Sequence, residues 1–274
     1  MDYRNVVRGF YERADANDGY ERKWGYGNPS AAAYWRLRDE LVFPAIVKRL
    51  HAIGYLPRIL EIGSGHGHEL AKMSLLGIPQ SLLTGADLLH DRISVAKQIY
   101  GGIGFAQQAG ERLAFADETF DVVCQFTCLM HIPTGEIQSM VCSEMGRVLK
   151  PGGMIIWWDI APLPVRTVFL ARICQILDSD NGLKSKVRGL AGAFAGFTIP
   201  APRSADVHNS SMDVFPTSPG ELSNLFPGLQ VQARYSGLEY GVWEFLWQRN
   251  RTLAAILWRK GWFPQHCFAI IQKI

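Results

Sequence analysis

No stretch of the sequence approaches the roughly 20 consecutive apolar residues that a membrane-spanning helix needs. Its first 25 residues, MDYRNVVRGFYERADANDGYERKWG, are charged and polar, with no basic segment leading into an apolar one as a secretory leader would have. Cys124, Cys128, Cys142, Cys174 and Cys267 are odd in number and never stand in C-x-x-C spacing, so neither a disulfide framework nor a zinc site is signalled. A reducing, cytoplasmic setting is expected. Charge of one sign is also scarce: a formal +3 without a clustered basic stripe is too mild for a nucleic-acid partner. Repeats and low-complexity tracts are missing. What remains is 274 residues, 48% of them hydrophobic, enough to bury a large core as one domain.

Apolar runs alternate with amphipathic stretches from about residue 58 to 160, the pattern of βαβ units on a parallel sheet. Strands are expected at 58–62, 81–86, 103–107, 120–126 and 154–158, and helices from His68, over 90–100 and over 137–149. Ahead of this core, residues 29–49 read as helical, with Pro44 expected to start a new helix or kink the old one. After it, apolar positions between Val165 and Leu177 recur at helical spacing. Gly189 to Ser211, rich in glycine, alanine and proline, reads as a mobile lid. Ser218-Pro219-Gly220-Glu221 has the form of a capping box. Two last strands, 229–235 and 266–271, bracket a stretch holding Trp243, Trp247, Trp258 and Trp262. The division expected is a helical cap over 1–57, a core over 58–160, an insert or lid over 161–217 and the rest of the sheet over 218–274.

The chemistry concentrates in LEIGSGHG (60–67). Gly63, Gly65 and Gly67 follow a strand and precede a helix, where the chain must turn sharply and a ligand can approach the backbone. Twenty residues past Gly67, Asp87 ends the second strand, the place from which a carboxylate can accept hydrogen bonds from an adenosine ribose. Two cofactor classes share this arrangement. The spacing G-x-G-x-G departs from the dinucleotide G-x-G-x-x-G, and Glu61 would repel a pyrophosphate but suit a ligand with an ammonium and a sulfonium. S-adenosylmethionine is favoured over NAD.

LEIGSGHG, GADLL (85–89), ERLAFADETFDVV (111–123) and RVLKPGGMII (147–156) resemble, in order and spacing, the successive motifs of class I S-adenosylmethionine-dependent methyltransferases of the ubiquinone-methyltransferase-like type. The resemblance implies a Rossmann-like α/β fold: a seven-stranded, mostly parallel sheet with an antiparallel last strand, here with a helical cap inserted after strand five. It implies that Gly63, Ser64 and Gly65 hold the methionine part of the cofactor, with Glu61 near its amine. Asp87 would take the ribose, Leu88 would flank adenine, Gly110 and Glu111 would border its edge, and Gln125 and Phe126 would line the donor pocket. One departure stands out. The family's aspartate before the alanine of D-A-E is replaced by Ala109, so the adenine amino group needs another acceptor, for which Gln108 is the candidate.

The expected reaction moves a methyl group to a hydroxyl or amine of a small or lipid-like molecule, leaving S-adenosylhomocysteine. A hydroxyl acceptor must lose a proton, and His131 and Asp159, just past the fourth strand and at the end of the fifth, are the candidate bases. No D/N-P-P-aromatic tetrapeptide points to nucleobase methylation, and Asp159-Ile160 lacks the Asp-Asn pair of a magnesium-dependent catechol enzyme, so no metal is implied. The face formed by Trp243, Leu246, Trp247, Leu257 and Trp258 beside Arg249, Arg251, Arg259 and Lys260 is expected to act as a substrate lid, to touch a membrane surface or to pack on the core. A protein that binds the cofactor without methylating, and an NAD oxidoreductase, are the alternatives.

Overall fold

The computed structural model describes residues 3–16, 19–133, 135–178 and 215–274. The expected lid at Gly189 to Ser211, with Asp206 and His208, lies outside them.

Three helices precede the sheet: α1 (Tyr3–Ala16), α2 (Gly19–Trp24) and α3 (Pro29–Ile53). The third begins where Asn28 accepts hydrogen bonds from the amides of Ser30 and Ala31, with Pro29 at its first position, and ends at Gly54 with φ 69°. It runs unbroken through Pro44, so no new helix starts there. Val42 and Ile46, both buried, anchor the turns on either side, and this packing outweighs the one backbone hydrogen bond that proline forfeits.

The sheet follows as β1 (Ile59–Ile62), α4 (His68–Ser74), β2 (Leu83–Asp87), α5 (His90–Ile99), β3 (Gly104–Gln107), β4 (Phe120–Phe126), α6 (Glu136–Val148) and β5 (Leu149–Ile160). Then come α7 (Val165–Asp178), α8 (Leu222–Leu225), β6 (Gln230–Ser236), α9 (Tyr240–Arg249), α10 (Arg251–Lys260) and β7 (His266–Gln272). The strand order is β3-β2-β1-β4-β5-β7-β6, and only β7 runs against its neighbours. This is the expected seven-stranded architecture. Strand β5 starts five residues before its expected beginning, because Leu149 already pairs with Phe120 ahead of a register shift. At the capping box, the Glu221 carboxylate accepts from both the Ser218 amide and hydroxyl, and the regular helix begins only at Leu222.

Alternate strand residues face two cores. Ile59, Val122, Ile156, Trp158 and Phe268 meet α3, α4, α5, α9 and α10, while Leu60, Val123, Ile155, Trp157 and Cys267 meet α6 and α8. The tryptophan-rich stretch belongs to the first core. Trp243 is 0% exposed and donates its indole N–H to Ser30, Trp258 is 4% exposed, and both stand edge-on to Tyr34. Of the face expected to serve as lid, membrane contact or core packing, Trp243 and Trp258 are therefore interior and Leu246, Trp247 and Leu257 are half-buried against the same core, and of the four tryptophans only Trp262 is largely exposed.

Candidate active site

The carboxyl ends of β1, β2 and β4 open onto one cleft, with about 860 Å³ of empty space including its solvent-open mouth. The glycine turn is stitched to β2 by the amides of Gly63 and Ser64, which both donate to the Ala86 carbonyl at 2.8 and 3.1 Å. Asp87 completes the tie: one carboxylate oxygen accepts from the Gly65 amide and the other from the Leu89 amide, each at 2.8 Å. Each oxygen keeps a lone pair for a further donor.

The three glycines have different reasons. A β-carbon on Gly63 would stand 2.3 Å from the Cys128 sulfur, and one on Gly67 would stand 2.6 Å from the Phe105 ring. Both have positive φ, at 72° and 80°. Packing against neighbours, rather than ligand space, excludes a side chain at these two. At Gly65 a β-carbon would meet only the end of Arg92, at 3.7 Å.

Glu61 is 2% exposed and its Oε2 has no hydrogen-bond partner. Burial, with Glu69 nearby, pushes its carboxyl well above the usual range, while the Arg38 guanidinium pulls the other way. Arg38 is itself buried, held at 2.6 Å by Asp39 and by Glu69 and flanked by the rings of Trp35, Phe126 and Trp158. Arg38 is thus neutralised by its own two carboxylates, and Glu61 is left as a buried acid that an incoming cationic group would suit.

Gly63, Asp87, Leu88, Gly110 and Phe126 line the cleft, together with Leu89, Gln108, Thr127, Cys128 and His131. Ser64 and Gln125 are buried, at 7% and 0% exposure. Gln108 Oε1, the acceptor expected for the adenine amino group, accepts from the Ala114 amide at 2.7 Å and keeps a second lone pair, while Nε2, a donor, is buried without a partner. His66 and His68 sit with rings 5.9 Å apart, and His68 turns to the Tyr100 hydroxyl.

Helix α1 forms the outer wall, which the sequence pattern did not reveal. Tyr3, Val7 and Tyr11, one helical face at four-residue spacing, all line the cleft. At one end, Tyr3 donates to Glu111 at 2.6 Å and Arg4 pairs with the same carboxylate. At the other end, Tyr11 lies under the Arg92 guanidinium at 3.9 Å, and Phe10 and Tyr11 pack against His131 at 5.8 and 5.6 Å. Glu111 thus anchors α1. The 3.6-residue spacing of Tyr3, Val7 and Tyr11 was readable; the surface they cover was not.

The two candidate bases part company here. His131 faces the cleft from a short 3-10 turn, Leu129–His131, after β4. Asp159 is 1% exposed and spends its oxygens on the Met130 amide at 3.2 Å and the Ile160 amide at 2.8 Å. A carboxylate so enclosed cannot reach an acceptor, which removes it as the base.

Residues 60–157 match the family model of a methyltransferase domain. A demethylmenaquinone methyltransferase of Chlorobaculum parvum is 29% identical over 160 residues, 58% of this chain and 60% of the relative. A phthiotriol/phenolphthiotriol dimycocerosates methyltransferase 1 of Mycobacterium ulcerans is 33% identical over 110 residues, 38% of each chain. The chain thus matches less than two thirds of the length of these relatives. The solved structure of the PH0226 protein from Pyrococcus horikoshii OT3 superposes with a TM-score of 0.55 at 15% identity, covering 93% of this chain and 98% of that one, a likeness of fold. Residues 60–157 thus form a methyltransferase domain, set in a seven-stranded Rossmann-like fold. The two relatives are named for demethylmenaquinone and for phthiotriol and phenolphthiotriol dimycocerosates.

Proposed function

We propose that the protein transfers a methyl group from S-adenosylmethionine to a hydroxyl, or an amine, on a small hydrophobic, lipid-linked or sugar-linked metabolite. The buried, unpartnered Glu61 carboxylate beside the glycine turn carries the reading, since a cationic amino-acid moiety is what would compensate it. When bound, the cofactor supplies the activated methyl group on its sulfonium. Glu61 would receive its ammonium, Asp87 would accept from its ribose hydroxyls, Leu88 and Leu89 would flank its base, and Gln108 would offer its side-chain amide at the edge of the base. Helix α1, which lines the cleft, would cover the ligand and exclude water. Alignment supplies most of the acceleration, and His131, an imidazole on the cleft wall, takes the proton of the acceptor hydroxyl. A lipid-like acceptor is supported by the relatives named for demethylmenaquinone and for phthiotriol dimycocerosates.

The test is calorimetry with S-adenosylhomocysteine and with NAD, then turnover of S-adenosylmethionine on a panel of hydroxylated and aminated lipids and glycosides. Tight homocysteine-adduct binding without turnover on any acceptor would leave a cofactor-binding protein that does not methylate. On an accepted hydroxyl substrate, His131→Ala should cut kcat by about 10²–10⁴-fold while cofactor affinity holds. Full activity in that variant would take the base away from His131.

A further inference from the structure

The loop that follows β4 is built from its ends inward by two buried polar side chains. Thr127, a non-glycine residue, is held at φ 52°, its amide donating to the Trp158 carbonyl at 2.9 Å. Such a conformation persists only where the surroundings impose it. The Cys128 amide donates to Gln125 Oε1 at 3.2 Å, and the Met130 amide to Asp159 Oδ2 at 3.2 Å. The other Asp159 oxygen accepts from the Ile160 amide at 2.8 Å, which fixes the carboxylate to its own strand. Thr127, Cys128, His131 and Ile132, four members of the loop, line the cleft.

We propose that Asp159, acting with Gln125, is the positioning residue of this wall, holding the 127–132 loop so that Cys128 and His131 stand where the cofactor and acceptor meet. The proposal rests on the functional reading above for what the loop serves, but not for how it is held. Ionised, Asp159 accepts from both amides at once. Protonated, one of its oxygens becomes a donor facing N–H groups, a hydrogen bond is lost and the loop loosens. Burial raises this carboxyl to about 7, so the change falls in the physiological range. The titratable groups facing it are the thiols of Cys128 on the loop, Cys142 on α6 and Cys267 on β7, all driven far up by burial and silent near neutrality. His131 shares the loop.

The measurement is a pH titration of the Met130 and Ile160 backbone amides by heteronuclear NMR on the whole protein, together with S-adenosylhomocysteine calorimetry. In the wild type both amides should shift with a midpoint near 7. In Asp159→Asn they should stop responding, and the Cys128 to Ile132 amides should broaden. At pH 8 the variant should bind S-adenosylhomocysteine about tenfold or more weakly, the loss expected for one charge-assisted hydrogen bond, while its melting temperature stays level or rises because a buried charge has gone. A merely structural aspartate would lose stability and affinity together, and that result overturns the proposal. So does wild-type affinity in the variant, or wild-type amides that stay flat from pH 5.5 to 8.5. If the wild type binds no S-adenosylhomocysteine, the functional reading fails, and the amide shifts and loop broadening still decide what holds the loop.

Discussion

Glu61 shows at a single residue how a site trades stability for binding. Its carboxyl is raised well above the ordinary value of 4.5, so from about that pH upward the folded protein keeps a proton the unfolded chain has released. Stability therefore falls as pH rises toward the folded value. In Glu61→Gln the penalty is gone: the ligand-free melting temperature should exceed that of the wild type at pH 8, with the gap closing toward pH 5. Cofactor affinity should drop by roughly 10- to 100-fold as a charge-assisted contact is lost. Calorimetry in buffers of different ionisation enthalpy supplies a second check, because a cation arriving at a neutral Glu61 should release a proton in the wild type and none in the variant. A variant that melts lower and binds normally would show Glu61 to be a structural acid. The residue was legible beforehand, since only its position two residues before Gly63 was needed. The surroundings of Gln108 were not, because the Ala114 amide that donates to its oxygen enters from a loop whose path has no sequence mark.

At the scale of elements, strands were easier to read than the helix that guards them. The short, mostly apolar runs of β1 and β4 are bounded by turns, whereas α1 is amphipathic but polar on balance, and its apolar face is matched by a cleft assembled from three distant strands. Its attachment is concentrated in Glu111, where Tyr3 and Arg4 converge. The same carboxylate is lowered by these partners despite its burial, and the Tyr3 phenol is raised, first by burial and then by Glu111. Glu111→Ala should free the amino end of α1 and speed release of S-adenosylhomocysteine several-fold, by stopped-flow displacement. The melting temperature should change little, since Arg4 is half exposed and pairs of that kind contribute about 0–1 kcal/mol. Unchanged release kinetics would mean that α1 stays down without its clasp, on Tyr11 and His131 alone.

For the whole molecule, the question left by the sequence was which way the carboxyl-terminal tryptophans face. Helical spacing predicts that Trp243, Trp247 and Trp258 share a side, but periodicity is silent on whether that side meets protein or lipid. The answer depends on α3, two hundred residues earlier, which brings Tyr34 and Ser30 against them. Long-range pairing of this kind also closes the sheet, for β7 must pass between β5 and β6 after α9 and α10 have been laid over α3. The aromatic layer is thus part of what makes the chain one unit. Trp243→Ala should destabilise the fold by about 3–5 kcal/mol, the range for emptying a buried aromatic site, measured by urea denaturation. The cofactor cleft lines up on β1, β2 and β4, away from this layer, so the fraction that remains folded should bind S-adenosylhomocysteine with near wild-type affinity. A lid or membrane face would behave the other way, with stability kept and activity on a lipid-linked acceptor lost.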